Sequence, residues 1–245
     1  MGKEELWKTA ALSQTYLAGV RGAIPLAKEQ IDILLRVMGK FRPRPRRFLD
    51  LGCGDGVLAE AILRQHKLAR GVLADFSPPM LAAAQVRLIS LGAWVEMAEL
   101  DFRTAEWRTH PVIQQAAPFD VIVSGLAIHH VPDERKRELY AEIYELLTPG
   151  GVFLNLEHVA SATADIEKLF EELFIDHLWA YHQKQGSSDN RQQIADAYYN
   201  RPDKAANLLA PVETQCDWLR EIGFNHVDCF FKIFELALFG GVKSG

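Results

Sequence analysis

The residues best placed to do chemistry are three carboxylates and three glycines: Asp50, Gly52, Gly54 and Gly56 within Phe48-Leu49-Asp50-Leu51-Gly52-Cys53-Gly54-Asp55-Gly56, then Asp75 and Asp101. An apolar run ending in an acid and alternating glycines describes a buried strand that turns sharply into a helix. Glycine has no Cβ, so its backbone reaches left-handed dihedrals and lets a ligand lie against it. The helix starting near Val57 points N–H groups at that ligand. The spacing is G-x-G-x-G and not the G-x-G-x-x-G of a dinucleotide pyrophosphate site. Asp75 ends a second apolar run about 20 residues on, the separation at which an acid in a βαβ unit accepts from both ribose hydroxyls. His129 and His130 follow a third such run, and a neutral imidazole is suited to taking a proton near neutral pH.

These groups need a parallel sheet to bring them together. Residues 57–65 read as a helix, 69–75 as a second strand, and Ser77-Pro78-Pro79 as a helix start, with proline in its first turn. Residues 93–98 read as a third strand leading to Glu99-Leu100-Asp101-Phe102. The run 119–126 is nearly all apolar, as expected for a central strand covered on both faces. Ligands of open α/β sheets bind outside the strand C-termini, which places Ser124, Gly125 and Leu126 at the site. An amphipathic helix over 133–147 stops at Thr148-Pro149-Gly150-Gly151, before a strand over 152–156. A helix over 216–222, capped by Gly223, precedes two late strands, 227–233 and 235–239, which suggest a hairpin.

The compact glycine loop preceded by an acid resembles the first motif of the class I S-adenosylmethionine-dependent methyltransferases, and the motifs at Asp75, Asp101 and the Leu-x-Pro-Gly-Gly ending follow in that family's order. The resemblance covers residues 45–160 and 211–243. It implies a Rossmann-like α/β fold with a seven-stranded, mostly parallel sheet and an antiparallel last strand. It also implies S-adenosylmethionine as cofactor and methyl transfer to a small-molecule acceptor in one domain. In this reading Asp50 serves the cofactor's amino group and Asp75 the ribose. Phe76 belongs to the cofactor site, Met80 lies near the adenine, Asp101 faces the adenine amino group, and Phe102 lies beside the ring. Ser124, Gly125 and Leu126 lie beside the sulfonium. The ending Phe230-Phe231-Lys232-Ile233-Phe234, followed by a small-residue strand, is also similar to that of carboxy-S-adenosylmethionine synthases. There an arginine of the late insertion reads an added carboxylate, and Arg191 or Arg201 is the nearest candidate. A non-enzymatic partner subunit that keeps the fold is the third alternative.

Two segments outside the sheet are expected to choose the acceptor. One is an N-terminal helical cap over 1–40, with helical spacing in 7–16 and 26–38. The other is a lid insertion over 161–210, with a helical run over 166–182 and a polar stretch over 183–193. The acceptor-site candidates are Tyr16, His129, His130, Glu157, His158, Tyr181, His182 and Arg201, with His129 or His130 as the catalytic base. Bracing of the loop is the alternative role for either histidine.

A length of 245 residues at 49% hydrophobic composition describes one domain with a sizeable core. No apolar run is long enough to span a membrane, the N-terminus lacks a secretory pattern, and Cys53, Cys216 and Cys229 have neither zinc-ligand nor C-x-x-C spacing. The cytoplasm, no metal and no membrane partner are therefore expected. A net charge of −5 gives nucleic acid no overall attraction, and the basic run from Lys40 to Arg47 reads as a solvated connector. The oligomeric state stays open, a homodimer included.

Overall fold

The computed structural model describes residues 21–201 and 204–245, so Tyr16 and the helix expected over 7–16 lie outside the described residues. Among the described residues the first α-helix is α1 (Ala27–Phe41), whose buried Leu34 and Met38 fall one turn apart on its inner face. The chain then alternates β1 (Arg47–Leu51), α2 (Val57–Gln65), β2 (Arg70–Asp75), α3 (Pro78–Leu88), β3 (Val95–Glu99), α4 (Pro111–Ala116), β4 (Phe119–Gly125), α5 (Asp133–Leu146) and β5 (Leu147–His158). The insertion forms α6 (Ala164–Lys184) and α7 (Arg191–Tyr199), and the chain closes with α8 (Val212–Ile222), β6 (Phe224–Ile233) and β7 (Leu236–Lys243).

The seven strands lie in the order β3-β2-β1-β4-β5-β7-β6. The pairs from β3 through β5 are parallel, and β7 runs antiparallel between β5 and β6, as the resemblance implied. Alternation along each strand divides the core between the two faces of the sheet. Leu49, Ile122 and Phe153 pack with Tyr140 and Ile143 of α5 and Leu219 of α8 on one face. Phe48, Val121 and Leu154 pack with Leu34, Met38, Leu58 and Ile62 on the other. A third cluster, with Phe170, Phe174, Leu178, Ile194 and Tyr198, ties α6 to α7 beneath the insertion.

Two of the boundaries that differ from the sequence expectation do so for identifiable reasons. Thr148-Pro149-Gly150-Gly151 does not precede β5 but lies within it. Leu147 pairs with Phe119 and Val152 with Val121, so the residues between them form an irregularity turned by Gly150 at φ 69°. β7 runs past Phe239 to Lys243 because Gly240 and Gly241 let the strand press against its neighbours. A Cβ on Gly240 would stand 2.0 Å from the Phe153 carbonyl oxygen. Gly240→Ala should therefore cost about 3 kcal/mol, at the top of the overpacking range. Urea unfolding measures this, and an unchanged midpoint contradicts the close approach.

The basic connector is built into the sheet end opposite the strand C-termini. Arg42 donates to Thr148 Oγ1 and the Pro149 carbonyl at 2.6 Å each, and the Arg46 and Arg47 N–H groups donate to Asp120. Among the described residues no helix is long and apolar enough to cross a membrane.

Candidate active site

A cavity of about 400 Å³ opens at the C-terminal ends of β1, β2, β4 and β5. The order of the strands decides what lines it. The β1–α2 turn supplies the glycine loop, in which Gly52, Gly54 and Gly56 all have positive φ (70°, 52° and 77°). A Cβ on Gly52 would meet that of Ala127 at 2.4 Å, whereas one on Gly54 would meet nothing within 4 Å. The loop is thus packed against the fold at Gly52 and bare toward the cavity at Gly54, a cradle a side chain would fill.

The aspartates hold this loop in shape. Asp50 Oδ2 accepts from the Ala59 N–H at 3.0 Å, pinning the first turn of α2. Asp75 accepts from Gly54 N–H through Oδ2 and from Ser77 N–H through Oδ1, at 2.9 Å each. Burial raises the Asp75 carboxyl above the ordinary carboxylate range, opposed by these backbone hydrogen bonds. Each carboxylate oxygen has a second lone pair, so two hydroxyls remain acceptable partners. Asp101 pairs with Arg103, whose guanidinium also lies over the Phe76 ring, 5.8 Å from its centroid.

Ten of the twelve expected cofactor-site residues line the cavity: Asp50, Gly52, Gly54, Asp75, Phe76, Met80, Asp101, Phe102, Gly125 and Leu126. Gly56 and Ser124 are not in its wall. Gly56 packs at the α2 N-terminus against Ala84 and Leu73, and the fully buried Ser124 hydroxyl donates to the Leu51 carbonyl at 2.7 Å, joining β4 to β1.

The two histidines separate sharply. His130 lines the cavity, and its Nδ1 lies 3.2 Å from the Ala206 carbonyl, which favours the tautomer with the proton on Nδ1 and makes Nε2 the basic nitrogen. His129 is buried behind it, outside the cavity wall, with the ring centroids 4.0 Å apart. Its Nδ1 is 2.6 Å from Glu157 Oε1, and its backbone N–H donates to Glu157 Oε2. Burial holds His130 down to about 3, reinforced by neighbouring His129.

That depression has a consequence for stability. Between the ordinary histidine value of 6.5 and about 3, the unfolded chain takes up a proton at residue 130 that the folded chain refuses. Stability contributed by the neutral ring is complete above 6.5 and declines as the pH falls through that window. The melting temperature should be lower at pH 5 than at pH 7, and His130→Gln should reduce the difference. An undiminished difference in that variant would assign it to other groups.

The remaining candidates lie off the cavity. Glu157 braces the histidine turn, and His158 Nε2 bonds Glu235 at 2.8 Å. The Tyr181 ring packs on Gly22, where a Cβ would stand 2.1 Å from it, and Arg201 stacks over Tyr198 at 4.2 Å. The polar stretch of the insertion is a hydrogen-bonded turn closed by a capping box between Asn190 and Gln193. Cavity residues that sequence reasoning missed include Gln30, Arg87, Arg103 and Ala206. Gln30 left a signal, as a polar residue on the apolar face of α1. Arg87 reaches Asp55 and Glu60 across the loop, and Ala206 arrives on the return strap of the insertion, contacts that no local pattern encodes.

The cradle suits a ligand with hydroxyls and a positive end: carboxylates face it at Asp50, Asp75 and Asp101, and the arginines beside it are paired with acids. Among the described residues no cluster of histidine, cysteine and carboxylate could hold a metal ion.

Residues 48–151 match the family described as methyltransferase domain. A carboxy-S-adenosyl-L-methionine synthase from a Nitratiruptor species is 22% identical over 224 residues, 90% of this chain and 86% of that one. The protein of the same name from Shewanella amazonensis is 25% identical over 228 residues, 91% and 87%. An O-methyltransferase family protein from Burkholderia thailandensis superposes with a TM-score of 0.64 at 19% identity, over 96% of this chain and 59% of that one. A methyltransferase from Clostridium acetobutylicum does so with a TM-score of 0.61 at 16% identity, over 96% and 97%. The solved structures establish the fold, and the chain spans less than two thirds of the Burkholderia protein's length.

Proposed function

We propose that the chain is a class I S-adenosylmethionine-dependent methyltransferase that methylates a small-molecule acceptor, with His130 taking the acceptor's proton at Nε2. Bound S-adenosylmethionine would supply an electrophilic methyl group on a sulfonium. The residues that would hold it are the glycine loop with Asp50, then Asp75 and Asp101, with Phe76, Met80 and Phe102 as apolar walls. The observation that carries the reading is His130 in the same cavity wall as the glycine loop and Asp75, its tautomer set by Ala206.

The chain's own work is positioning and proton custody. Gly125 and Leu126, at the end of β4, shape the wall next to His130. Leu126 N–H donates to the Leu156 carbonyl at 2.7 Å, tying the turn that follows β4 to β5. The strap over 204–210 closes this side. Leu208 N–H donates to the His129 carbonyl at 2.8 Å, and Lys136, itself buried, donates to the Leu208 carbonyl. A histidine held to about 3 is a weak base. An acceptor oxygen or nitrogen becomes strongly acidic as its new bond forms, so a weak base that is neutral at every working pH suffices.

A second reading draws on the two synthases, whose alignments run through the insertion. It requires a cation for the added carboxylate. Arg191 pairs with Glu172 and Asp176 on the insertion's surface, and Arg201 stacks on Tyr198, neither in the cavity wall; the arginines that do line it, Arg87 and Arg103, pair with Asp55, Glu60 and Asp101, which favours methyl transfer. The deciding assay supplies methyl-labelled cofactor with a panel of small alcohols, phenols, amines and thiols. Label in a small product, matched by S-adenosylhomocysteine, supports the proposal. Carboxylated cofactor carried on the protein as purified from cells, which supply a carboxyl donor that this assay lacks, supports the second reading instead.

A further inference from the structure

We infer that the acceptor is an uncharged, largely apolar molecule seated at the β4–β5 end of the cavity, between Ile24, Leu126, His130 and Ala206. The inference rests on the methyl-transfer reading and adds to it the chemical class of the acceptor.

Charge along the cavity is segregated by strand order. The β2–β3 side carries Asp75, Asp101 and Arg103, and Arg87 stands at the glycine loop beside α3. The other side is walled by Ile24, Ala27, Leu126, Ala127, Leu156 and Ala206. Among the described residues, the polar side chains at this end are Gln30 and His130, and both are neutral groups. Gln30 is itself fixed, its Nε2 donating to the Pro25 carbonyl at 2.6 Å. Neighbouring cations belong to other contacts: Lys204 pairs with Glu171 at 2.6 Å and Lys136 with Asp133 at 2.7 Å.

Behind this end lie two buried carboxylates. Glu157 is buried under His129 and Glu235 is buried beside His158. An anionic acceptor entering here would leave water for apolar walls backed by carboxylates, with no cation among the described residues of that wall to offset the loss. A neutral acceptor loses only hydration of its polar atoms, for which Gln30 and His130 substitute.

Leu126 is the specificity-determining residue in this arrangement. It lines the cavity and also packs into the cluster beneath the insertion. Its φ of 52° is a left-handed conformation that a leucine keeps only when its surroundings hold it there. Ile24 shares both memberships, so the apolar wall is continuous with the core of the lid.

The test uses protein saturated with S-adenosylhomocysteine, which has no sulfonium, so that binding reports the walls alone. Calorimetry compares methyl 4-hydroxybenzoate with 4-hydroxybenzoate, probes that differ in one negative charge. The ester should bind at least about tenfold more tightly. Leu126→Arg should close or invert the gap. Ile24→Lys should do the same should the strained turn reject arginine, with a cooperative thermal melt showing that each variant is folded. A carboxylate bound as tightly as the ester by the wild type, or no saturable binding of either probe, overturns the inference while leaving methyl transfer standing. Failure to bind S-adenosylhomocysteine, read before either probe is added, overturns the methyl-transfer reading and this inference with it.

Discussion

His130→Ala should lower kcat by about 10²–10⁴-fold, the range for loss of a positioned proton acceptor, while affinity for S-adenosylhomocysteine stays near wild type. The ring stands in the cavity wall and not in the glycine loop, so its removal spares the groups proposed to hold the cofactor. The same change at His129 has another outcome. That ring is buried against Glu157, so His129→Ala leaves a buried carboxylate short of a donor and should lower the melting temperature together with turnover. The pH profile provides an independent check. Because His130 stays neutral down to about 3, kcat should not fall with an ordinary histidine value as the pH drops from 8 to 5. Equal kcat losses and equal melting-temperature losses in the two variants would remove the distinction between base and brace.

Asp75→Ala should weaken cofactor binding by more than tenfold. A charged hydrogen bond contributes about 1.5–3 kcal/mol, and a carboxylate accepting from two hydroxyls makes two. The structure adds a second loss, since the same oxygens accept from Gly54 and Ser77 N–H and keep the glycine loop facing the β2 end. Asp75→Asn separates the two effects. Its amide oxygen retains one acceptor, so it should fall between wild type and alanine in calorimetric affinity. Wild-type affinity in the alanine variant would remove Asp75 from the site.

The legible parts of this molecule were those governed by local rules. Alternation and glycine spacing placed β1, the loop and α2, and acids at strand ends placed Asp75 and Asp101, because a parallel sheet gathers its C-terminal ends on one edge. Two neighbouring histidines could not be told apart, since what separates them is Glu157 on an adjacent strand and Ala206 on a strap 76 residues away. Tyr181 and Arg201 have side chains that could meet an acceptor, yet one packs on Gly22 and the other on Tyr198. Ser124 sits at the expected strand end, but an inward-facing position in a central strand sends its hydroxyl to the Leu51 carbonyl and not to the cavity. The start of β5 was misplaced because Pro-Gly-Gly signals a turn, while an irregularity can hold the same residues within a strand.

The central claim is that one cavity holds S-adenosylmethionine and brings an acceptor's proton to His130. Native mass spectrometry of the protein, mixed first with S-adenosylmethionine and then with the acceptor found in the labelled-methyl assay, tests it most directly. The account predicts a one-to-one complex whose ligand mass changes from S-adenosylmethionine to S-adenosylhomocysteine on turnover, and in His130→Ala a complex that forms but stays at the first mass. Absence of the first complex, or unimpaired turnover in His130→Ala, would contradict it.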